Sequence, residues 1–149
     1  MKKTTFAQAF SVLALTTLIG SSCSDDNKDT PTPAVKTPQE LIVGKWKSTY
    51  SGWDSNLNGT WDSAEKVMVP DSDVYYGVFK VDGTFTSYGE GDTTNGTYKF
   101  TPDNKAVITK YANEDPDTFI VDQLNETTLI EHSPDDPNHN NYNQYLKVN

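Results

Sequence analysis

The chain has 149 residues, a net charge of −9, one cysteine and no arginine. About 125 residues remain once a leader is removed, enough for one small domain with a real core. An acidic chain without arginine is a poor partner for nucleic acid or for anionic lipid, and a lone Cys23 excludes both an intramolecular disulfide and a cysteine zinc site. Without Lys2 and Lys3 the charge becomes −11. A metal cation is the partner such a surface favours, although acidity by itself also keeps an exported protein soluble.

Met1-Lys2-Lys3 is a basic start, and Phe6 to Ile19 is an apolar run too short to span a bilayer. Gly20-Ser21-Ser22 are small residues directly before Cys23, so the segment reads as a bacterial export signal. It resembles a lipoprotein signal peptide, with Gly20 where a leucine is usual. The resemblance implies cleavage before Cys23, lipidation of Cys23 and anchoring in the outer membrane. Ser24-Asp25-Asp26 looks like the acidic export signal of Bacteroidetes lipoproteins, which implies display on the cell surface. The expected organisation is a signal peptide over 1–22, a tether rich in Asp, Thr and Pro over 23–38, and one domain over 39–149.

Pro38 to Val43 predicts one short helical turn, with Thr37 as N-cap and Pro38 at the first position. The rest shows no helical periodicity. Strands are expected at 45–53, 74–81, 84–90, 96–101, 105–111, 118–124, 127–132 and 142–148. Asp82-Gly83 predicts a two-residue hairpin turn, and 91–95 reads as a loop. About eight short antiparallel strands point to an all-β fold, here a single up-and-down barrel, whose closure removes the edges. The period of two marks Trp46, Phe79, Val81, Phe85, Tyr98, Phe100, Ile108, Phe119, Val121, Leu129 and Leu146 as inward.

Between the first two strands lies Asp54-Ser-Asn56-Leu-Asn58-Gly59-Thr60-Trp-Asp62-Ser-Ala-Glu65, which fits the pattern D-x-[DN]-x-[DN]-G-x5-E at every specified position. Asp54, Asn56 and Asn58 would aim side-chain oxygens at one centre, Thr60 its carbonyl, Asp62 its carboxylate, and Glu65 both carboxylate oxygens. Ca2+ takes such a set of hard oxygens. The loop resembles that of the EF-hand family over these residues alone. Its flanks read as strand, so it is expected to be grafted between strands, as a clamp and not a sensor. An ordinary polar turn is the competing reading, because Asn, Asp and Gly are the turn residues.

Gly44-Lys-Trp46, Phe79-Lys-Val-Asp-Gly-Thr-Phe85, Gly96-Thr-Tyr-Lys-Phe100 and Thr127-Thr-Leu-Ile130, in that order, resemble the lipocalin-like domain family of Bacteroidetes lipoproteins. The resemblance implies an eight-stranded up-and-down β-barrel with a Gly-x-Trp first strand. It places the first loop, Asp54 to Glu65, and the acidic Asp71-Ser-Asp73 at the barrel mouth. Lipocalins proper stack an arginine on that tryptophan; here Lys147 could do so by cation–π contact.

No catalytic set stands out. His132 and His139 have no fixed spacing to Asp135 or Asp136, and no nucleophile or phosphate-loop motif is present. Asp62-Ser-Ala64 and Asp92-Thr-Thr94 resemble short O-glycosylation sites of exported Bacteroidetes proteins. The expected function is a surface-anchored lipocalin-like binding lipoprotein, not an enzyme, with a calcium-ordered loop at its mouth and a small apolar ligand. The alternative is a structural or interaction lipoprotein whose filled barrel binds a surface protein or glycan through its loops. A hydrolase with a carboxylate at the cavity mouth is the third possibility, and an apolar pocket without perturbed acids would count against it.

Overall fold

The computed structural model describes residues 34–134 and 141–149. Cys23, the expected signal peptide, the expected tether up to Pro33, and Asp135, Asp136 and His139 lie outside the described residues. The described chain begins with helix α1 (Pro38–Ile42) and continues as nine strands. They are β1 (Gly44–Trp53), β2 (Val67–Met68), β3 (Tyr76–Phe79), β4 (Thr84–Gly89), β5 (Asp92–Phe100), β6 (Ala106–Tyr111), β7 (Asp117–Leu124), β8 (Thr128–Ser133) and β9 (Asn141–Val148).

Every pairing is antiparallel, neighbours from β3 to β9 pair in sequence order, and β1 pairs with both β3 and β9. The result is a closed eight-stranded up-and-down barrel, with β2 as a short extra piece. β1 serves three neighbours because it is long. Its first half pairs with β3, and Tyr50 and Ser51 then pair with β2. A bulge at Thr49 separates the halves on the β9 side. Ser48 helps hold the split: its N–H donates to the Tyr75 carbonyl, and its Oγ accepts from the Tyr75 N–H at 2.9 Å.

One end of the barrel has a floor. Thr37 and Glu40 form a capping box, with Thr37 N–H donating to Glu40 Oε2 at 2.7 Å. This short helix delivers Ile42, 1% exposed, against the fully buried Trp46, whose indole N–H donates to the Ile42 carbonyl at 2.6 Å. Lys147 Nζ sits 5.0 Å from the centre of the Trp46 ring and donates to the Leu41 carbonyl. Lysine therefore takes the place expected for it on the tryptophan.

Three inward assignments and two turn assignments change. Val81 is 90% exposed, because it lies in the turn after β3 and not in a strand. That turn spans Val81-Asp82-Gly83 between the paired Phe79 and Phe85, with Gly83 at positive φ, so it is a three-residue loop with a bulge. In β6 the inward phase belongs to Val107 and Thr109, leaving Ile108 half-buried on the outer side. In β9 it belongs to Asn143 and Tyr145, which leaves Leu146 41% exposed. Residues 92–95 are strand and not loop. Glu90 and Gly91, both at positive φ, make a two-residue turn, and Asp92 to Asn95 pair with β4 beyond the reach of β6.

Candidate functional site

The barrel holds a cavity of about 460 Å³. Its deep end is lined by Trp46, Phe79, Phe85, Val107, Phe119 and Leu129. The rings pack as a series: Phe79 stacks on Phe85 at 5.6 Å, and Phe85 tilts onto Tyr111 at 5.2 Å. Polar groups lie above them. Glu131 and Asn143 are cross-strand partners facing inward, and Tyr145 Oη donates to Glu131 Oε1 at 3.2 Å. Burial pushes the Glu131 carboxyl up to about 7, against a smaller opposing effect of the Tyr145 hydrogen bond. Burial also raises the Tyr145 phenol well above its ordinary range, reinforced by the Glu131 charge. The Tyr111 phenol is raised first by burial and further by Glu114, Asp117 and Glu131. The cavity thus contains a perturbed acid, the feature whose absence would have counted against catalysis.

The mouth is roofed by the segment from Val67 to Tyr75. β2 pairs with β1, Val69 N–H donates to the Thr49 carbonyl, and a turn of 3-10 helix over Asp71–Asp73 brings Asp73 to the cavity. Gly89 lets this segment lie close, because a Cβ there would meet the Val74 carbonyl at 2.8 Å. Val67 and Met68 line the opening and are more than half exposed.

The loop from Asp54 to Glu65 stands beside this mouth rather than over it, and none of its residues lines the barrel cavity. Trp61, at its eighth position, explains the placement. Its ring stacks at 5.4 Å and 11° on Tyr142, which points outward from β9, and Lys66 Nζ covers it at 4.6 Å. The loop is therefore pinned to the outer wall. Its indole N–H is buried without a hydrogen-bond partner. The expectation that strands flank the loop holds, since β1 precedes it and β2 follows a 3-10 turn at Ser63–Glu65.

Within the loop, hydrogen bonds bring five of the six proposed ligands together. Asp54, 2% exposed, accepts from Asn58 N–H at 3.1 Å and Gly59 N–H at 2.7 Å. Asn56 and Asn58 accept from the N–H two residues on, as Asx turns, and both amides donate to Asp62 Oδ2. Glu65 closes the ring: one oxygen accepts from Ser55 and Asn56, the other from Asp62 N–H. These bonds, Ser55 Oγ first, hold the Glu65 carboxyl below its ordinary value. Leu57 and Gly59 take the positive φ that the coil needs. No hydrogen bond fixes the Thr60 carbonyl in the set.

Among the described residues no group of three His, Cys, Asp or Glu side chains is arranged to hold a metal ion. The loop relies instead on two asparagines and a carbonyl beside its three carboxylates. That set suits calcium chemically. Each engaged oxygen keeps a further lone pair, but the amides of Asn56 and Asn58 would have to turn their oxygens inward. His132 lies on the outer wall, 2.7 Å from Asp122, with its ring against Tyr142. Asp92, Thr93 and Thr94 are exposed on the β4–β5 hairpin.

No family model matches the chain, and no curated protein matches it. Among solved structures, it is similar to a duf4847 family protein from Bacteroides vulgatus ATCC 8482. The identity is 17% over 73% of this chain and 96% of that one, with a TM-score of 0.49. A likeness of that degree fixes neither ligand nor activity.

The cavity polar groups were missed in the sequence, although one signal was there. With Leu129 inward, the period of two puts Glu131 inward as well.

Proposed function

We propose that this chain is a binding barrel, not an enzyme, carried as a lipoprotein on the outer membrane through Cys23. It takes a small ligand into the cavity, and calcium orders the loop beside the mouth through Asp54, Asn56, Asn58, Thr60, Asp62 and Glu65. The observation that carries the reading is the cavity of about 460 Å³, whose volume is that of a one-ligand pocket. Apolar side chains line its depth and a few polar groups converge above them, as such pockets require. The calcium component is supported by the hydrogen bonds that draw Asp54, Asn56, Asn58, Asp62 and Glu65 into one coil, while Lys66, the nearest lysine in sequence, reaches Gln144 and the Trp61 ring.

Two measurements test this reading. Uptake of the neutral dye Nile red, followed by its fluorescence, should be abolished by Leu129→Trp, which fills the cavity. Equal uptake by parent and variant would move the dye, and the reading, out of the barrel. For calcium, the melting temperature in millimolar calcium should exceed that in chelator by several degrees. A concentration a hundred times Kd stabilises by about 2.7 kcal/mol. The Asp54→Ala/Glu65→Ala variant should show no such shift, and an unchanged parent would reduce the loop to a polar turn.

One observation favours the interaction reading as second. Trp53, Leu57, Val67, Met68 and Tyr75 are large apolar residues exposed near the mouth. A surface protein or glycan bound there would leave the cavity unused.

A further inference from the structure

The charge balance of the cavity is one-sided. Three carboxylates line it, Asp73 and Asp117 towards the mouth and Glu131 inside, while no lysine or histidine among the described residues does so. The nearby lysines are engaged elsewhere: Lys45 lies over the Tyr76 ring, Lys66 reaches Gln144, and Lys147 is held at the floor by the Leu41 carbonyl and the Trp46 ring. Glu131 has Tyr145 as its hydrogen-bond donor and shares the cavity lining with Leu129 and the rings of Tyr111 and Phe119. A carboxylate so enclosed lacks a counter-charge, and aromatic faces around it attract a cation.

Resting on the binding-barrel reading, we propose that the cavity takes a small organic ammonium ion, its nitrogen on Glu131 beside Tyr145 and its apolar body among Phe79, Phe85 and Phe119. An anionic ligand would add a fourth negative charge to the same space. A neutral apolar ligand would fill the cavity and leave Glu131 without a counter-charge. The ammonium does neither, and it supplies the three donors that Glu131, Asn143 and the cavity hydroxyls can accept.

Three probes with one body and different heads decide it by calorimetry on the intact chain at about pH 8. They are the 2-phenylethylammonium ion, 2-phenylethanol and 3-phenylpropanoate. The ammonium should bind at least about tenfold tighter than the alcohol, and the carboxylate weakest. Glu131→Gln should remove the ammonium's advantage and leave the alcohol unchanged, whereas Tyr145→Phe, which keeps the carboxylate, should retain the preference. The other titratable groups facing Glu131 are Tyr145 from β9, Tyr111 from β6, Asp117 from β7 and Asp73 from the roof. Burial raises both phenols, so ammonium binding near pH 6 should release a proton in the parent and none in Glu131→Gln. An alcohol that binds as well as the ammonium, or an ammonium unaffected by Glu131→Gln, overturns the inference and leaves the barrel reading standing. Failure of all three probes together with Nile red overturns both.

Discussion

Gly52 is where the loop meets the barrel wall. It pairs with Tyr142, and a Cβ on it would run into the Glu65 backbone carbonyl and lie 2.9 Å from the Trp61 indole nitrogen. Backbone cannot swing aside as a side-chain tip can. Gly52→Ala should therefore unseat the loop, at a cost of about 1–3 kcal/mol for overpacking. The checks are a lower melting temperature and a shift of Trp61 fluorescence to the red as its ring leaves Tyr142. A variant that melts like the parent with unchanged fluorescence would show that the loop is not docked through this contact. This residue illustrates the limit of a motif. The pattern from Asp54 to Glu65 was legible because its constraints are local, four polar residues and one glycine at fixed spacing. Its position was not, because that rests on Trp61 meeting Tyr142, some eighty residues away, on the outer face of a strand whose phase had been read the other way.

At the scale of elements, α1 acts as the floor. It is too short to be stable alone, so it depends on its caps and on Ile42. Truncating Ile42 to Ala should destabilise by roughly 2–5 kcal/mol, and Thr37→Ala by about 1 kcal/mol, since the first empties a buried site and the second loses a cap. Val35→Ala, at a residue 94% exposed, should change nothing and serves as the control. Denaturant melts decide it, and an Ile42→Ala variant as stable as the control would mean that the helix merely rests on the barrel. The helix was readable because a Thr-Pro-x-Glu start is a chemical signature. Most strands were readable too, because alternating rows of large apolar residues face one side. The β4–β5 hairpin was not. Asp92 to Asn95 is polar on both faces, since it projects past β6, and Glu90 is an unusual residue for a turn with two positive φ values. Tyr142 is buried by the loop outside the barrel, so its burial carries no information about the interior.

For the whole molecule, the enclosed Glu131 makes stability depend on pH in a direction opposite to the surface acids. Glu40, Glu65, Asp82, Asp103 and Glu126 are all held below their ordinary values by hydrogen bonds, so each contributes stability above its unfolded value and loses it as pH falls. Glu131 is raised from 4.5 to about 7, so between those values the folded chain holds a proton that the unfolded chain has released. Stability therefore falls as pH rises through this window and levels off above it, by roughly 3 kcal/mol at most for a shift of this size. Glu131→Gln should keep the low-pH stability and lose the decline, so that it melts higher than the parent at about pH 8 and alike at about pH 4. Melting curves of the two proteins across that range decide it, in chelator so that the loop does not contribute. Parallel curves would mean that Glu131 is solvated as well folded as unfolded, and the cavity around it would then be open to bulk water. Divergence would establish a carboxylate kept at a cost to the fold. A barrel that needed only a packed interior would do better with glutamine or leucine there, so an acid held at that cost argues for an occupant that carries the missing charge.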